Sequence, residues 1–388
     1  MTRRAVALLV ETSNGYCRGL LDGINQYAKH RTDWSIYLSE QERGAMPPAW
    51  LDTWQGDGII ARVETDAIGR RLRQLNLPMV DLSAARHLPG VPWADTEDRG
   101  IAELAVEHFL DRGFRNLAFC GDPGLRWSNA RRDWFRDLAT RGECRFFEHQ
   151  TMHRYDPMYR WDRVALGLTD WLKSLPRPVA VMGCNDFLAH QVLDACRTLG
   201  ISVPEQAAVL GVDNDRLICE LSDPALSSVI PDTRRTGYEA AEMLDRMMNG
   251  QVVDADHPLI TQPLGIRMRQ STDTMAIDDQ DVVKALSFIR RHACENIRVA
   301  DVLKQTELSR RALEHRFVKL VGRTPHDEMT RVRMDRVKVL LGETDISIHE
   351  ISKRTGFEYP EYMAAAFKRA TGRSPTEFRQ SVQSDAAS

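Results

Sequence analysis

Phe367-Lys368-Arg369-Ala370-Thr371-Gly372-Arg373-Ser374-Pro375 decides how this chain is read, because Phe317-Val318-Lys319-Leu320-Val321-Gly322-Arg323-Thr324-Pro325 carries the same skeleton, Phe-x4-Gly-x2-Pro, fifty residues earlier. Upstream of each copy lies a second echo: Val299-x2-Val302 is matched by Ile348-x2-Ile351, forty-nine residues on. The one-residue difference falls between the helices of each unit, where a turn absorbs it. Each unit reads as helix, tight turn, helix. In the first, 299–306 leads through Glu307-Leu308-Ser309 into a helix over 310–321, with Ser309 as its N-cap. Leu313, Phe317 and Leu320 fall on one stripe of that helix and predict its buried face. In the second, 347–355 leads through Gly356-Phe357 into a helix over 359–370. Thr324-Pro325 and Ser374-Pro375 place a capping hydroxyl before a proline and so start further helices.

A helix-turn-helix lays its second helix in the major groove. In the first unit (about 299–321) that helix presents Arg311, Glu314 and His315 at i, i+3 and i+4. Arginine grips guanine, glutamate accepts from cytosine, and histidine donates or accepts. Arg310 and Arg316 flank them and suit phosphates. A solvated helix face would carry the same residue types, but the duplication favours a DNA reader. Charge agrees: 281–388 holds 20 Lys and Arg against 15 Asp and Glu, while the rest holds 32 against 40. A basic tail on an acidic body points to nucleic acid.

Residues 283–380 resemble the AraC/XylS-type DNA-binding domain, most specifically in the closing run from Phe367 to Arg379. The resemblance implies two helix-turn-helix units (the second about 347–371) joined by a long helix, here about 326–341, that read successive grooves of double-stranded DNA. It places base-reading positions on Arg311, Glu314 and His315, and in the second unit on Glu361, Tyr362 and Ala365. Members often carry Ser-Arg where this chain has Ala364-Ala365. Alanine cannot hydrogen-bond a base, so the second unit is expected to act mostly through phosphates, by Lys368 and Arg369.

Ahead of the tail, residues 5–264 alternate short apolar strands with amphipathic helices. Strands are expected at 5–10, 34–38, 58–61, 79–82, 116–120, 144–148, 179–183 and 208–212. Helices are expected at 16–30, 66–75, 97–111, 129–141, 160–175, 187–199 and 236–249. Strands alternating with helices of this length imply an α/β fold of parallel sheets flanked by helices. Ligands then bind off the carboxyl ends of strands, at the polar loops 12–16, 81–83, 122–129, 184–186 and 213–215. Residues 266–280 are polar without a period and read as a linker. That divides the chain into a sensor over 1–265, a linker, and an all-helical domain over 281–388.

The front part resembles the LacI/GalR and periplasmic sugar-binding family. The resembling pieces are Ala94-Asp95-Thr96-Glu97-Asp98-Arg99-Gly100, Cys184-Asn185-Asp186, Val203-Pro204-Glu205, Gly211-Val212-Asp213-Asn214 and Leu221-x2-Pro224-Ala225-Leu226-Ser227-Ser228-Val229. The resemblance implies a two-lobed sensor with ligand contacts on Asp81, Arg131, Asn185 and Asp213. Vicinal hydroxyls of a sugar suit them: carboxylate and amide oxygens accept, and an arginine fork donates. Trp127 is placed to cover a sugar's apolar face, and Arg18 is a lesser candidate. Each has a plainer reading: Trp127 as core, Arg131 paired with a surface Asp, Asp213 capping a turn. A sugar sensor ahead of such a tail resembles the regulators of xylose operons. That implies a small sugar effector, D-xylose or a related pentose, and a homodimer whose two tails take paired half-sites as the lobes close. An activator would also touch RNA polymerase.

Other classes fare worse. No GxGxxG, P-loop or GxSxG occurs, and His349-Glu350 lacks the second histidine of a zinc protease. A sugar-processing enzyme, or a repressor answering another small ligand, remains the alternative. The seven cysteines are scattered with no CxxC pair, so neither disulfides nor zinc are expected. No cofactor, metal or membrane partner is expected. The apolar run from Ala5 to Val10 stops at Glu11, too short for a signal peptide, so a cytoplasmic location is the default.

Overall fold

The computed structural model describes residues 3–386 apart from 32, 33, 44, 84, 154 and 155. It divides into two compact units, 1–273 and 274–388.

The first unit opens with β1 (Arg4–Leu9), α1 (Gly15–Arg31), β2 (Trp34–Leu38), β3 (Gly58–Ala61), α2 (Asp66–Arg73) and β4 (Met79–Asp81). These strands form one parallel sheet in the order β2-β1-β3-β4. From Ala5 on, β1 is apolar because both its faces are covered. Val6 and Leu8 join one core with Leu20, Ile24 and Tyr27 of α1, while Ala7 and Leu9 join another with Ile59, Ile68 and Leu72. That is the period-two alternation of a strand between two helical layers.

The chain then crosses to a second lobe through β5 (Ala94–Thr96) and continues as α3 (Asp98–Asp111), β6 (Asn116–Gly121), α4 (Arg126–Arg141), β7 (Arg145–Gln150), α5 (Trp161–Ser174), β8 (Val179–Gly183), α6 (Asp186–Thr198), β9 (Ala207–Val212), α7 (Arg216–Leu221) and β10 (Ser227–Ile230). α8 (Thr233–Met248) returns to pack on α1 of the first lobe. That contact is close: a Cβ on Gly23 would collide with the carbonyl oxygen of Arg234, and one on Gly237 with that of Leu20. β11 (Leu259–Thr261) pairs with β5, and β12 (Gly265–Arg267) returns to the second lobe. The second sheet runs β12-β10-β9-β8-β6-β7, parallel except for β12 against β10. Two lobes joined by three crossings are the two-lobed α/β sensor expected from the sequence.

The expected linker over 266–280 is corrected by this structure. β12 is a sheet strand, and Ser271 and Thr272 of the 3-10 turn Gln270–Thr272 that follows are buried. Its polar residues look like loop but are internally satisfied. Ser271 Oγ donates to the Val209 carbonyl at 2.6 Å and accepts from the Ser227 amide at 2.8 Å. Thr272 Oγ1 donates to Ser227 Oγ at 2.8 Å. The first unit therefore runs to Asp273, not 265.

The second unit is helical: α9 (Gln280–His292), α10 (Val299–Leu303), α11 (Arg310–Val321), α12 (Pro325–Glu343), α13 (Ile348–Arg354), α14 (Pro360–Thr371) and α15 (Pro375–Ala386). The repeated skeleton has a structural meaning at each position. Phe317 and Phe367 are fully buried in two separate cores. Gly322 and Gly372 end α11 and α14 at φ of 77° and 75°, a left-handed conformation that glycine adopts without strain. Pro325 and Pro375 begin the next helices. Ser309 Oγ caps α11 by accepting from the Ala312 amide at 3.3 Å. α12 contributes Met329 to the first core and Met334, Val337 and Leu341 to the second. No helix among the described residues is long and apolar enough to cross a membrane.

Candidate functional site

In the second unit, α11 and α14 follow the turns of the two repeats. Arg311 and His315 are exposed on α11. Arg310 Nε meets Glu314 Oε1 at 3.0 Å across one helical turn, so these two groups pair with each other in the free protein. Arg316, 48% exposed, also has a partner: its Nη1 bonds Asp279 Oδ2 at 3.0 Å, and that same aspartate caps α9. In the free protein this ion pair links α11 to the start of α9. On α14, Glu361, Tyr362, Lys368 and Arg369 are all exposed. Beneath, α12 carries Glu328, 1% exposed and held by Arg331 at 2.7 Å, Arg323 at 3.2 Å and Arg290 at 3.8 Å. Burial pushes its carboxyl up, but the Arg331 bond and the three positive charges hold it below the usual range.

In the first unit, polar side chains from strand exits of both lobes converge. Arg131 of α4, buried, points its Nε and Nη2 at Asp98 Oδ1, at 3.1 and 2.8 Å, and its Nη1 at the Cys184 carbonyl. Arg62, just past β3, bonds Glu11 Oε2 at 3.2 Å and Glu64 Oε1 at 3.0 Å. Tyr16 lies under the Arg62 guanidinium, 5.1 Å from ring centroid to Cζ, and donates its hydroxyl to Asp95 Oδ1 at 2.7 Å. Trp127 lies under two guanidiniums, Arg131 at 5.2 Å and Arg43 at 5.4 Å. All of these but Glu11, Glu64 and Cys184, together with Thr96 and Asp213, line a cavity of about 20 Å³. A second cavity of about 370 Å³ adjoins Arg43 and is lined by Asn14, Asp122, His153, Tyr159, Asn185 and Gln191 among others.

Electrostatics mark the inner cavity. Burial pushes Asp98 up to about 6 although Arg131 pulls it down. Burial also pushes Asp213 up to about 6 against the pull of Arg131, Arg43 and Arg62. Glu11 is held below its usual value: burial raises it, but Arg62, Arg43 and bonds from Cys17 and Asn14 outweigh that. The three guanidiniums therefore face carboxylates, leaving no surplus charge for an anionic ligand. Such a wall suits a neutral polyhydroxylated molecule, whose hydroxyls both donate and accept.

Of the six expected ligand residues, the structure brings Trp127, Arg131 and Asp213 to the inner cavity. Asn185 lines the outer one, where its Oδ1 also caps α6 by accepting from the Leu188 amide at 2.9 Å. Asp81 and Arg18 line neither. Asp81 is buried and accepts from the Val63 amide at 3.1 Å, fixing the β3 exit. Arg18 bonds Asp215 at 3.0 Å and the Thr12 carbonyl at 3.2 Å. Trp127 also differs from expectation: guanidiniums lie over its ring, and its Nε1, buried, has no partner among the described residues. Arg43, Arg62, Tyr16, Asp95 and Asp98 were not singled out as ligand residues. Asp95 and Asp98 lie inside the resembling run 94–100, and Arg62 directly follows a strand; those were the available signals.

Comparison with known proteins accords with this geometry. Residues 5–98 match an XylR N-terminal domain, 106–272 a periplasmic binding protein-like domain, and 302–381 a helix-turn-helix domain. The chain is 32% identical over 385 residues to the xylose operon regulatory protein of Escherichia coli strain K12, covering 97% of each. It is 32% identical over 382 residues to the xylose operon regulatory protein of Haemophilus influenzae, covering 96% of this chain and 97% of that one. A solved structure of a xylose-binding transcription activator superposes with a TM-score of 0.84 at 31% identity, covering 98% of both chains. A LacI-type transcriptional regulator from a Rhodococcus species shares the fold of the front part, with a TM-score of 0.60 at 22% identity over 71% of this chain.

Proposed function

The chain belongs to the family of xylose operon regulatory proteins, DNA-binding transcription regulators and not enzymes, and on that premise we propose that it senses a free pentose, D-xylose first, in the inner cavity and activates genes of pentose catabolism. The observation that carries the effector reading is the charge-balanced wall around a cavity at the strand ends. In it Asp213 and Asp98 accept from sugar hydroxyls, Arg131 and Arg62 donate, and the unpartnered Trp127 Nε1 supplies one more donor. Sugar draws the lobes together by binding the closed arrangement more tightly than the open one, since differential affinity is all a ligand can use. Two copies then place Arg311, Glu314 and His315 of each tail on paired half-sites and present the complex to RNA polymerase.

The test is a thermal-shift series with D-xylose, L-arabinose, D-ribose and D-glucose, followed by mobility shift on duplex DNA from upstream of pentose-catabolism genes. D-xylose should raise the melting temperature most and tighten DNA binding. A shift with none of the sugars removes the effector reading. No salt-sensitive attraction to duplex DNA removes the regulator reading.

A further inference from the structure

The two strand exits that supply Tyr16 and Asp213 to the inner cavity also meet each other directly. Asp215, two residues past Asp213 in the second lobe, places Oδ2 2.7 Å from the Gly15 amide, at the start of α1 in the first lobe, and 3.0 Å from Arg18 Nη2. The Gly15 amide is one of the first N–H groups of α1, which find no partner within the helix. The positive end of that helix adds to the attraction. The Asp215 side chain is only 7% exposed. Glycine at 15 permits so close an approach: a Cβ there would stand 2.8 Å from Cβ, Cγ and Oδ2 of Asp215.

Each side of this contact is pinned to its own lobe. The Asp215 amide donates to Asp186 Oδ2 at 2.7 Å, and Asp215 Oδ1 caps α7 by accepting from the Leu217 amide at 3.2 Å. The Asn214 amide donates to Ser228 Oγ at 2.9 Å, and Asn214 Oδ1 accepts from Arg269 Nη2 at 2.9 Å. Those bonds hold Asp213 and Asn214 at φ of 107° and 47°, backbone that residues other than glycine rarely adopt and that persists only where its surroundings fix it. On the first lobe, the Cys17 amide donates to Asn14 Oδ1 at 2.9 Å and Arg18 Nη1 to the Thr12 carbonyl at 3.2 Å. With both loops held, the lobes part at this point by breaking the contact, not by carrying it along.

We propose that Asp215 and the Gly15–Arg18 end of α1 form a latch that holds the empty sensor shut, and that an effector must break it to bind. With the latch made, the inner cavity of about 20 Å³ has room for about one or two waters, so no sugar ring fits between Tyr16 and Asp213. The latch residues lie one and two positions from those two cavity residues, so widening the cavity stretches the latch. The empty chain therefore divides between a latched form that excludes sugar and an unlatched form that takes it. Apparent affinity falls with the unlatched fraction. In the loaded form the ring stands between the lobes in the latch's place. The part that concerns sugar rests on the pentose-sensing reading above; the latch between empty lobes does not.

The experiment compares wild type, Gly15→Ala and Asp215→Ala, as full-length protein, in two measurements. Gly15→Ala leaves the Asp215 carboxylate and its cap on α7 in place and puts a good helix former in α1, so it tests the contact even if Asp215→Ala fails to fold. The first measurement needs no sugar: pulsed electron–electron resonance between ketone-directed spin labels on p-acetylphenylalanine at Val252 of the first lobe and Asp170 of the second, 93% and 73% exposed. Wild type should give one distance, and each variant should add a second one in at least about a third of the molecules. Distances unchanged in Gly15→Ala overturn the latch whether or not any sugar binds. The second measurement is stopped-flow binding of D-xylose. Each variant should bind it about fivefold faster and about fivefold tighter. Lobes that part without faster and tighter xylose binding overturn the claim that the latch opposes the effector. If wild type binds xylose and the distances do not respond, the latch falls and the sensor reading stands. If xylose binds no form while the distances respond as stated, the sensor reading falls and the latch stands.

Discussion

Arg131 holds a single carboxylate oxygen of Asp98 with two nitrogens, at 3.1 and 2.8 Å, where both side chains are largely out of water. The pair joins α4 to the start of α3, and it lies in the wall of the inner cavity. A charge pair at that depth is unforgiving of losing one member, because the other is left buried and uncompensated.

Arg131→Met should therefore destabilise the sensor by about 3 kcal/mol, read by urea denaturation at neutral pH. Asp98→Asn added to that variant should recover part of the loss, since an amide needs no counter-charge. If the single variant unfolds at the wild-type midpoint, the pair is not structural.

The pH dependence has a definite sign. Asp98 and Asp213 stand at about 6 in the fold, above the ordinary carboxyl value of 3.8. Groups raised in this way favour the folded state when protonated, so their contribution to ligand-free stability is fully present below about 3.8 and is lost as pH rises through about 6. Sugar hydroxyls donate to the ionised forms. Xylose affinity should then rise with pH through about 6 and level off above it, releasing protons on binding. Calorimetric titration on either side of that value checks it. Asp213→Asn should flatten the profile, and a wild-type profile that is already flat would count against both carboxylates as ligands.

On DNA, Arg311→Ala should cost about 1–3 kcal/mol and relax specificity at one base pair. Lys368→Ala and Arg369→Ala should weaken all sequences alike and each reduce the salt slope by about one. Arg316→Ala should leave that slope nearly unchanged, because its guanidinium is already engaged by Asp279. Titrations of mobility shift at several salt concentrations separate the three behaviours. A full unit of slope lost in Arg316→Ala would restore it as a phosphate contact.

Phe317→Ala and Phe367→Ala should each cost about 3–5 kcal/mol, since both rings are fully buried in cores of their own. Either variant should abolish the DNA complex while leaving the xylose-induced thermal shift in place, because neither ring belongs to the sensor cores.

The tail was legible because its punctuation is local. A buried phenylalanine, a left-handed glycine and a helix-starting proline act within a few residues, so their repetition displays the unit without any knowledge of the rest. The long strands and helices of the sensor were legible for a similar reason, through period and length. What stayed hidden depends on partners far along the chain. β5 and β11 are three residues each, and only their pairing across 165 positions, Ala94 with Leu259, defines them. Ser271 and Thr272 look like linker until Ser227 and Val209 arrive to bond them. Asp81 and Arg18 are polar residues near strand ends, which any reading by loop position would nominate, but a nearby amide and carboxylate had already claimed them. Arg43 lies in a loop with no period, and its place beside the cavity shows only once Trp127 of the other lobe and Glu11 are set against it.

The bonding of 265–272 into the second lobe has a practical consequence for dissecting the protein. A sensor severed after residue 265, where the polar composition invites a cut, would strip β12 from β10 and leave Ser227 without its hydroxyl partners, creating a raw sheet edge open to aggregation. Severed after Asp273, the same piece keeps its margin closed. For the intact molecule, the segment is thus stitched into the second lobe as far as Thr272, so that lobe carries the whole stretch with it when it moves.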